Sequence, residues 1–422
     1  METVTLILSI VGTIFAITYS YYIVFLIVGI LSKKRKYKEA KTDHTFAILV
    51  CARNEQKVIG NLIESIKNND YPQENIKIFV CADNCTDDTA ETCRSFGEGV
   101  MVYERFNKEQ IGKGFALKYL FSQIAKDFPD YVPDAIMFFD ADNVLTKNYV
   151  KEMNKALDSG VKICTSYRNS KNFGSGWIAA CSSLSFMKEC QMVHRPKMVL
   201  KLSTHVSGTG FYFSKDVLTF KDGWNYTMIT EDIEFSTQNI LKNVKIGYCE
   251  DAEFYDEQPT KFYEVWKQRC RWSRGMVLGL VMFTKSLISK FFRTFDFNCY
   301  EYFFARFFPA SVYYALSFAI SNVIYFVNGL VNYLGIWQLF FPLIVSFLSM
   351  CLGFLLDSSV AVLLNWKKIK APAYKKILSI FLYPIFTMTV VTPSCFVALF
   401  KKVKWLPIVH NESISQQDLE QR

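Results

Sequence analysis

Apolar and polar positions alternate in three different textures along this chain. Residues Thr3 to Ser32 carry no charged side chain, and about 20 apolar residues of helix are enough to cross the hydrocarbon core of a bilayer. The middle of the chain is finer grained. Phe46 to Ala52 (FAILVCA) is an apolar run of strand length that ends in Arg53-Asn54-Glu55, which reads as a buried strand feeding a loop. Lys57 to Lys67 follows with Val58, Ile59, Leu62, Ile63 and Ile66 at helical spacing, and Asn68-Asn69-Asp70-Tyr71-Pro72 stops it. Ile76 to Ala82 repeats the strand pattern and ends at Asp83; Ile136 to Phe139 does so again and ends at Asp140. Strands alternating with helices predict right-handed crossovers and a mainly parallel α/β sheet covered on both faces.

The third texture begins at Gly275. From there to Phe295 apolar residues predominate, but Lys285, Lys290 and Arg293 are spaced through them, as in a helix lying in the headgroup plane or one packed on the domain. Past Arg306 come spans near Pro309 to Val331 and Gly335 to Leu364, a basic loop from Trp366 to Lys376, and a last run from Ile377 to Phe400. The expected organisation is a transmembrane helix at 3–32, a soluble α/β domain at 44–274, amphipathic interface helices at 275–308, a membrane region at 309–400 and a polar tail at 401–422.

Composition supports a membrane part, since 51% of the 422 residues are hydrophobic and 21% charged, below the roughly 25% of soluble proteins. A cleaved signal peptide fits poorly: Glu2 stands where a basic start is expected, and no clear cleavage site precedes Lys33. The basic stretch Lys33-Lys34-Arg35-Lys36-Tyr37-Lys38 directly after the first span predicts a cytoplasmic soluble domain with the N-terminus outside. Much of the net charge of +9 is thus juxtamembrane, which points to anionic lipid headgroups rather than nucleic acid. Four simple crossings would place Lys401, Lys402 and Lys404 outside, against the positive-inside rule; Pro384 and Pro393 could instead break the last run into a re-entrant hairpin that returns the tail. Asp357, within a span, should face protein or a water-filled path, or lie near the inner headgroups. The twelve cysteines form no disulfide or zinc spacing, and His44, His194, His205 and His410 form no zinc pattern.

In parallel sheets ligands bind beyond the carboxyl ends of the strands. Arg53-Asn54-Glu55, Asp83 and Asp140-Ala141-Asp142 all fall there and should converge on one crevice. Asp140 and Asp142 could hold Mg2+ or Mn2+, which prefer oxygen ligands, or be solvated carboxylates of a turn. Gly112-Lys113-Gly114 would let backbone and ammonium approach a phosphate, or be a surface turn; it lacks the residues of a Walker A loop. Asp232 of Thr230-Glu231-Asp232 is a candidate general base, and Thr230 equally a cap for the helix that follows. Gln268, Arg271 and Trp272 share a stretch of helix. There they offer a phosphate-binding fork and a flat apolar face, or simply a basic amphipathic helix with a buried indole.

Taken in order, Asp83 with Asp87-Asp88-Thr89, Gly112-Lys113-Gly114, Asp140-Ala141-Asp142, Ser207-Gly208-Thr209-Gly210, Thr230-Glu231-Asp232 and Gln268-Arg269-Cys270-Arg271-Trp272 resemble the membrane-integrated family 2 glycosyltransferases. That branch carries the signature D, DxD, TED, QxxRW and includes poly-N-acetylglucosamine, cellulose and hyaluronan synthases. The resemblance covers Phe46 to about Gly275 and implies a GT-A-type, Rossmann-like domain for a UDP-sugar. It implies that Ala52, Asn54, Glu55, Asp83, Lys113, Asp140 and Arg271 bind the nucleotide sugar, that Asp140 and Asp142 hold the metal, and that Asp232 is the base. Gly208, Thr209, Glu231, Gln268 and Trp272 would then face the acceptor. Asn84-Cys85 replaces the acidic-glycine turn that relatives often carry after Asp83. No gating motif of the cellulose-synthase kind follows Trp272, and size and layout look closer to poly-N-acetylglucosamine or hyaluronan synthases.

Three functions are expected in descending order. The first is inverting, processive synthesis of a beta-linked extracellular polysaccharide at the cell membrane, exported between the membrane helices; Asp357, Trp337, Asn322 and the proline-interrupted last run favour a passage. The second is a single transfer to a membrane lipid of the ceramide or diacylglycerol type. The third, an inactive glycan-export partner, predicts losses in the catalytic set, and none is visible.

Overall fold

The computed structural model describes residues 2–331, 335–401, 403, 410 and 412–421. Lys402 and Lys404, on which part of the topology argument rests, lie outside the described residues, as does much of the predicted tail before 412.

Eight strands form one sheet: β1 (Phe46–Ala52), β2 (Ile76–Asp83), β3 (Val100–Arg105), β4 (Ala135–Asp140), β5 (Val144–Leu145), β6 (Ile163–Ser170), β7 (Phe211–Ser214) and β8 (Ile246–Asp256). Their order is β3-β2-β1-β4-β7-β6-β8-β5. The period-2 pattern of β1 sorts its side chains to two faces. Phe46, Ile48 and Val50 pack with Ile59, Leu62 and Ile63, while Ala47 and Leu49 pack with Leu117, Leu120 and Phe121. Each fully buried large side chain contributes about 1.5–3 kcal/mol, so β1 is the spine of the domain.

β1, β2, β3 and β4 pair in parallel, as expected, but β7 runs antiparallel between β4 and β6. The sheet is therefore mixed. The cause is local: the Gly210 N–H donates to Phe138 O at 2.8 Å, so the Ser207 to Gly210 loop sits at the carboxyl end of β4 and the strand leaving it must run backwards. The β6–β8 pairing is parallel with a bulge at Ser166/Tyr167.

The first apolar run is two helices, Glu2–Tyr19 and Tyr21–Leu31, bent by 41°, where a single span is expected. Tyr19, Tyr21 and Phe25 pack with Tyr300 and Phe304, which holds the second half against the rest of the chain. A Cβ on Gly29 would come 2.7 Å from Gln191 O, so only glycine permits that approach.

Phe262–Thr294 is one continuous helix of 33 residues, and the expected boundary at 275 falls inside it. It docks through Phe283 and Leu287 onto Ile233 and Ile240. Its Lys290 donates to Ile240 O at 2.7 Å and Asn243 Oδ1 at 2.6 Å, closing the end of the helix Glu231–Leu241.

Ala373–Phe400 is likewise one 28-residue helix rather than a re-entrant hairpin. A π-turn at Thr387–Val391 lies between Pro384 and Pro393 and takes up the missing backbone donors. Phe262–Thr294, Leu343–Leu364 and Ala373–Phe400 are each long and apolar enough to cross a membrane, and the bent N-terminal pair makes a fourth if it is one span. The tail still returns to the sheet domain. Ile414 and Leu419 are buried with Val144 and Tyr255, and Gln416 Nε2 donates to Leu145 O at 2.7 Å.

Candidate active site

The carboxyl ends of β1, β2 and β4 open into one cavity of about 550 Å3. Of the residues expected to bind donor, metal or acceptor or to act as base, all line it except Asn54 and Thr209. Arg53 takes the place in the wall where Asn54 was expected. Asn54 itself is in the left-handed region (φ 59°), which asparagine tolerates better than most residues. Its Oδ1 accepts from Thr86 N at 2.8 Å, tying the loop after β1 to the loop after β2. Thr209 is a brace too: its hydroxyl meets Asn143 Oδ1 and accepts from Asp140 N at 3.0 Å.

Asp83 is buried at the end of β2 and accepts from Arg105 Nη1 at 2.6 Å and from Asn84 Nδ2 at 2.9 Å, all through Oδ1. Asn84, at φ 56°, makes the turn that follows Asp83. Arg105 also donates to Gln110 O at 2.7 Å, so it joins the end of β2 to the loop before Lys113.

Asp140 and Asp142 separate in role. Asp140 pairs with Lys113 across the cavity. Asp142 is almost fully buried and accepts from Glu257 N at 2.9 Å. Burial would raise its pKa, but His410 and Lys171 hold it well below the usual carboxylate range. Its neighbour Asp256, at the end of β8, is pushed up to about 8 by burial and by Asp142, despite Arg168 donating to it at 2.6 Å.

His410 Nδ1 lies 2.9 and 3.0 Å from the two oxygens of Glu55. Burial opposes its charge, yet Asp142 and Glu55 keep it protonated, with its pKa pushed up to about 10. Glu412 N donates to Glu257 Oε2 at 3.2 Å and Lys171 Nζ to Glu412 O at 3.2 Å. The far end of the chain is thus built into this wall. Asp142, Asp256, Glu55 and Glu257 form a hard-oxygen set balanced by three cationic groups, and that donor chemistry, with Asp140 alongside, fits a divalent cation.

On the opposite wall Gly208 links two expected roles. Its carbonyl accepts from Lys113 Nζ at 2.7 Å, and a Cβ on it, at φ 82°, would lie 3.7 Å from Asp232 Oδ2. The base candidate and the phosphate-binding candidate therefore flank a single peptide. Asp232 is raised by burial, partly offset by Arg306, and Glu231 is pushed up to about 7 by burial and by Asp232. Arg271 interacts electrostatically with Glu231, Asp140 and Asp232.

Thr230-Glu231-Asp232 and the long helix meet at Gly275, where a Cβ would fall 2.0 Å from Thr230 Oγ1. One turn earlier, Trp272 lines the cavity with Phe186 edge-on at 5.8 Å and the Arg269 guanidinium over its ring at 4.7 Å. Gln268 Oε1 and Arg269 Nε and Nη2 are buried with no hydrogen-bond partner among the described residues. Beyond Trp272 the cavity continues past Tyr22, Lys188, Phe354, Tyr383 and Ser394. Asp357, expected to face protein or water, pairs with Lys188. Trp337 is 79% exposed, and Asn322 packs against Ser346 at 3.5 Å; neither lines the cavity.

Sequence reasoning missed Arg168, Asp256, Glu257 and His410, as well as Glu189, His205 and Arg306 near Asp232. Asp256 did carry a signal, since it ends β8 as Asp83 ends β2, but Glu250, Asp251 and Glu253 break the apolar pattern of that strand.

The family described as "Glycosyltransferase like family 2" matches residues 44–275. A beta-monoglucosyldiacylglycerol synthase of Synechocystis sp. is 24% identical over 242 residues, 54% of this chain and 47% of that protein. A poly-beta-1,6-N-acetyl-D-glucosamine synthase of Staphylococcus epidermidis is 23% identical over 266 residues, 60% of this chain and 62% of that protein. The chain thus spans less than two thirds of either relative's own length. Among solved structures, a mannosyltransferase of Pyrobaculum calidifontis in complex with GDP-Man and Mn2+ superposes with a TM-score of 0.52 at 14% identity, covering 93% of this chain and 97% of that one. That likeness is one of fold.

Proposed function

Since this chain belongs to glycosyltransferase family 2 and its mixed sheet is GT-A-like, we propose that it transfers a sugar, with inversion, from a UDP-sugar to an acceptor that enters from the membrane side of the cavity. The observation that carries this is Gly208, whose carbonyl holds Lys113 while its other side faces Asp232. A diphosphate at Lys113 and an acceptor hydroxyl at Asp232 would approach the same anomeric carbon from opposite sides, as in-line displacement requires.

In this reading Arg53 and Asp83 hold the nucleoside, and Lys113 and Arg271 orient the diphosphate. Asp140 and Asp142 would hold Mg2+ or Mn2+, which when bound supplies positive charge against the diphosphate. Asp232 takes the acceptor proton, and burial gives it a higher proton affinity than an ordinary carboxylate. The new C–O bond forms as the bond to the diphosphate breaks, with no covalent enzyme intermediate. Trp272 offers a face for the acceptor ring.

The acceptor favoured by the cavity is a growing beta-linked glycan. Beyond Trp272 the wall carries Tyr22, Tyr302, Tyr383, Lys188 and Arg269 among apolar residues such as Phe354 and Val391, and its tyrosines and cations suit hydroxyl-rich rings. A single transfer to a membrane lipid is the second reading, favoured by the absence of Trp337 and Asn322 from the cavity wall. Docking of the tail on the sheet domain supports an even number of crossings between them, with the catalytic domain and tail both cytoplasmic. The protein in lipid nanodiscs, given labelled UDP-glucose, UDP-GlcNAc or UDP-glucuronate with Mn2+, should yield a high-molecular-weight product. A solvent-extractable labelled lipid alone would select the second reading.

A further inference from the structure

Next to Asp232 lies a polar cluster that none of the roles above uses. Glu189 ends the helix Trp177–Glu189, His205 precedes the Ser207 to Gly210 loop, and Arg306 lies in the π-turn Phe303–Phe307. All three line the cavity. His205 Nε2 is 2.6 Å from Glu189 Oε1, and Arg306 Nη2 donates to the same oxygen at 3.2 Å. Both of these hydrogen bonds fall on Oε1.

A buried ion pair that only holds the fold would look different. Lys197–Glu301, a few residues away, is sealed, at 2.6 Å with side chains 1% and 2% exposed, although Lys197 also borders the cavity. Glu189 and Arg306 keep side-chain exposures of 22% and 23%, on the cavity side. The heteroatoms of Glu189, His194 and His205 lie within 4.8 Å of one another, a spacing a metal could use. However, Arg306 already occupies Glu189, and Lys197 adds repulsion at His194. The second observation is Arg269, whose Nε and Nη2 reach the same cavity unpartnered beside Trp272. Donors on one side and a half-used carboxylate on the other match the mixed donor and acceptor pattern of sugar hydroxyls.

We infer that Glu189, His205 and Arg306 form an acceptor subsite that binds the hydroxyls of the acceptor's terminal sugar ring and turns its nucleophilic hydroxyl toward Asp232. Glu189 Oε2 accepts from one hydroxyl, the Arg306 guanidinium donates to another, and His205 fixes the carboxylate between them. This deepens the glycan reading above and rests on it.

The test uses the full chain in nanodiscs, with the labelled UDP-sugar that wild type turns over. Acceptors are beta-linked gluco- or N-acetylglucosamine oligosaccharides or, separately, vesicles containing dioleoylglycerol. The wild-type acceptor profile decides the glycan reading by itself. Glu189→Gln and Arg306→Lys then decide the subsite: the KM for oligosaccharide should rise at least tenfold, with kcat down less than threefold and the Kd for UDP within twofold. An acceptor KM within twofold of wild type in both variants, or a loss confined to kcat, would overturn the subsite even where the glycan reading stands. Should Glu189→Gln fail to bind UDP, the charge-retaining Arg306→Lys decides alone.

Discussion

Gly275→Ala adds one methyl group where the long helix crosses the residues before Asp232. The new Cβ would stand 2.0 Å from Thr230 Oγ1, 2.3 Å from its Cγ2 and 2.7 Å from its Cβ. Carbon contacts settle at about 3.5–4.0 Å, so helix and Thr230 must separate by roughly 1.5 Å. Overpacking of this kind costs about 1–3 kcal/mol, and alanine returns about 1 kcal/mol of helix propensity. The variant should therefore stay folded, losing no more than about 2 kcal/mol. Its effect should fall on geometry instead: Asp232 is two residues beyond Thr230, and a 1 Å misplacement can cost about 100-fold in rate. The assay is turnover at saturating donor together with UDP affinity and the thermal midpoint. About 100-fold slower turnover with UDP binding within threefold is expected. Turnover within threefold of wild type would refute the idea that this helix contact positions the base.

Replacing the proposed base itself, Asp232→Asn, should lower kcat by at least about 1,000-fold while calorimetry finds UDP binding largely intact; substantial turnover would remove Asp232 from that role. The rate should fall with acidity along a limb set by Asp232, above the ordinary carboxylate range because burial raises it. Only the deprotonated base accepts a proton, so activity rises with pH through that limb. Glu231→Gln replaces a group that burial and Asp232 push up to about 7 and so keep largely neutral while Asp232 titrates, so the limb should stay within about half a unit; a pH–rate profile with the limb displaced by a unit or more would contradict this. His410→Gln removes a positive charge beside Glu55 and Asp142, so the Kd for Mn2+, read by electron paramagnetic resonance, should fall; a weaker Kd would mean that His410 aids the cation.

Much of the site was legible because strand periodicity fixes where strands end. FAILVCA, the Ile76 to Ala82 run and the Ile136 to Phe139 run place Arg53, Asp83 and Asp140 at three neighbouring carboxyl ends, and the parallel pairing does the rest. The reversal of β7 was not legible, since it depends on a hydrogen bond from Gly210 to Phe138, not on any local pattern. His410 meets Glu55 across 355 positions, in a tail without periodicity. Glu189, His205 and Arg306 come from three elements, each unremarkable alone. The breaks expected at Pro384 and Pro393 did not occur because a π-turn absorbs them.

The most direct test of the central claim is the anomeric configuration of the first product. Purified protein would be incubated with the UDP-sugar it turns over and Mn2+, and the new linkage read from the anomeric proton coupling by nuclear magnetic resonance. Attack guided by Asp232 from the face opposite the diphosphate predicts a beta linkage from the alpha-linked donor, abolished in Asp232→Asn. An alpha-linked product, or beta transfer undiminished in that variant, would contradict the account.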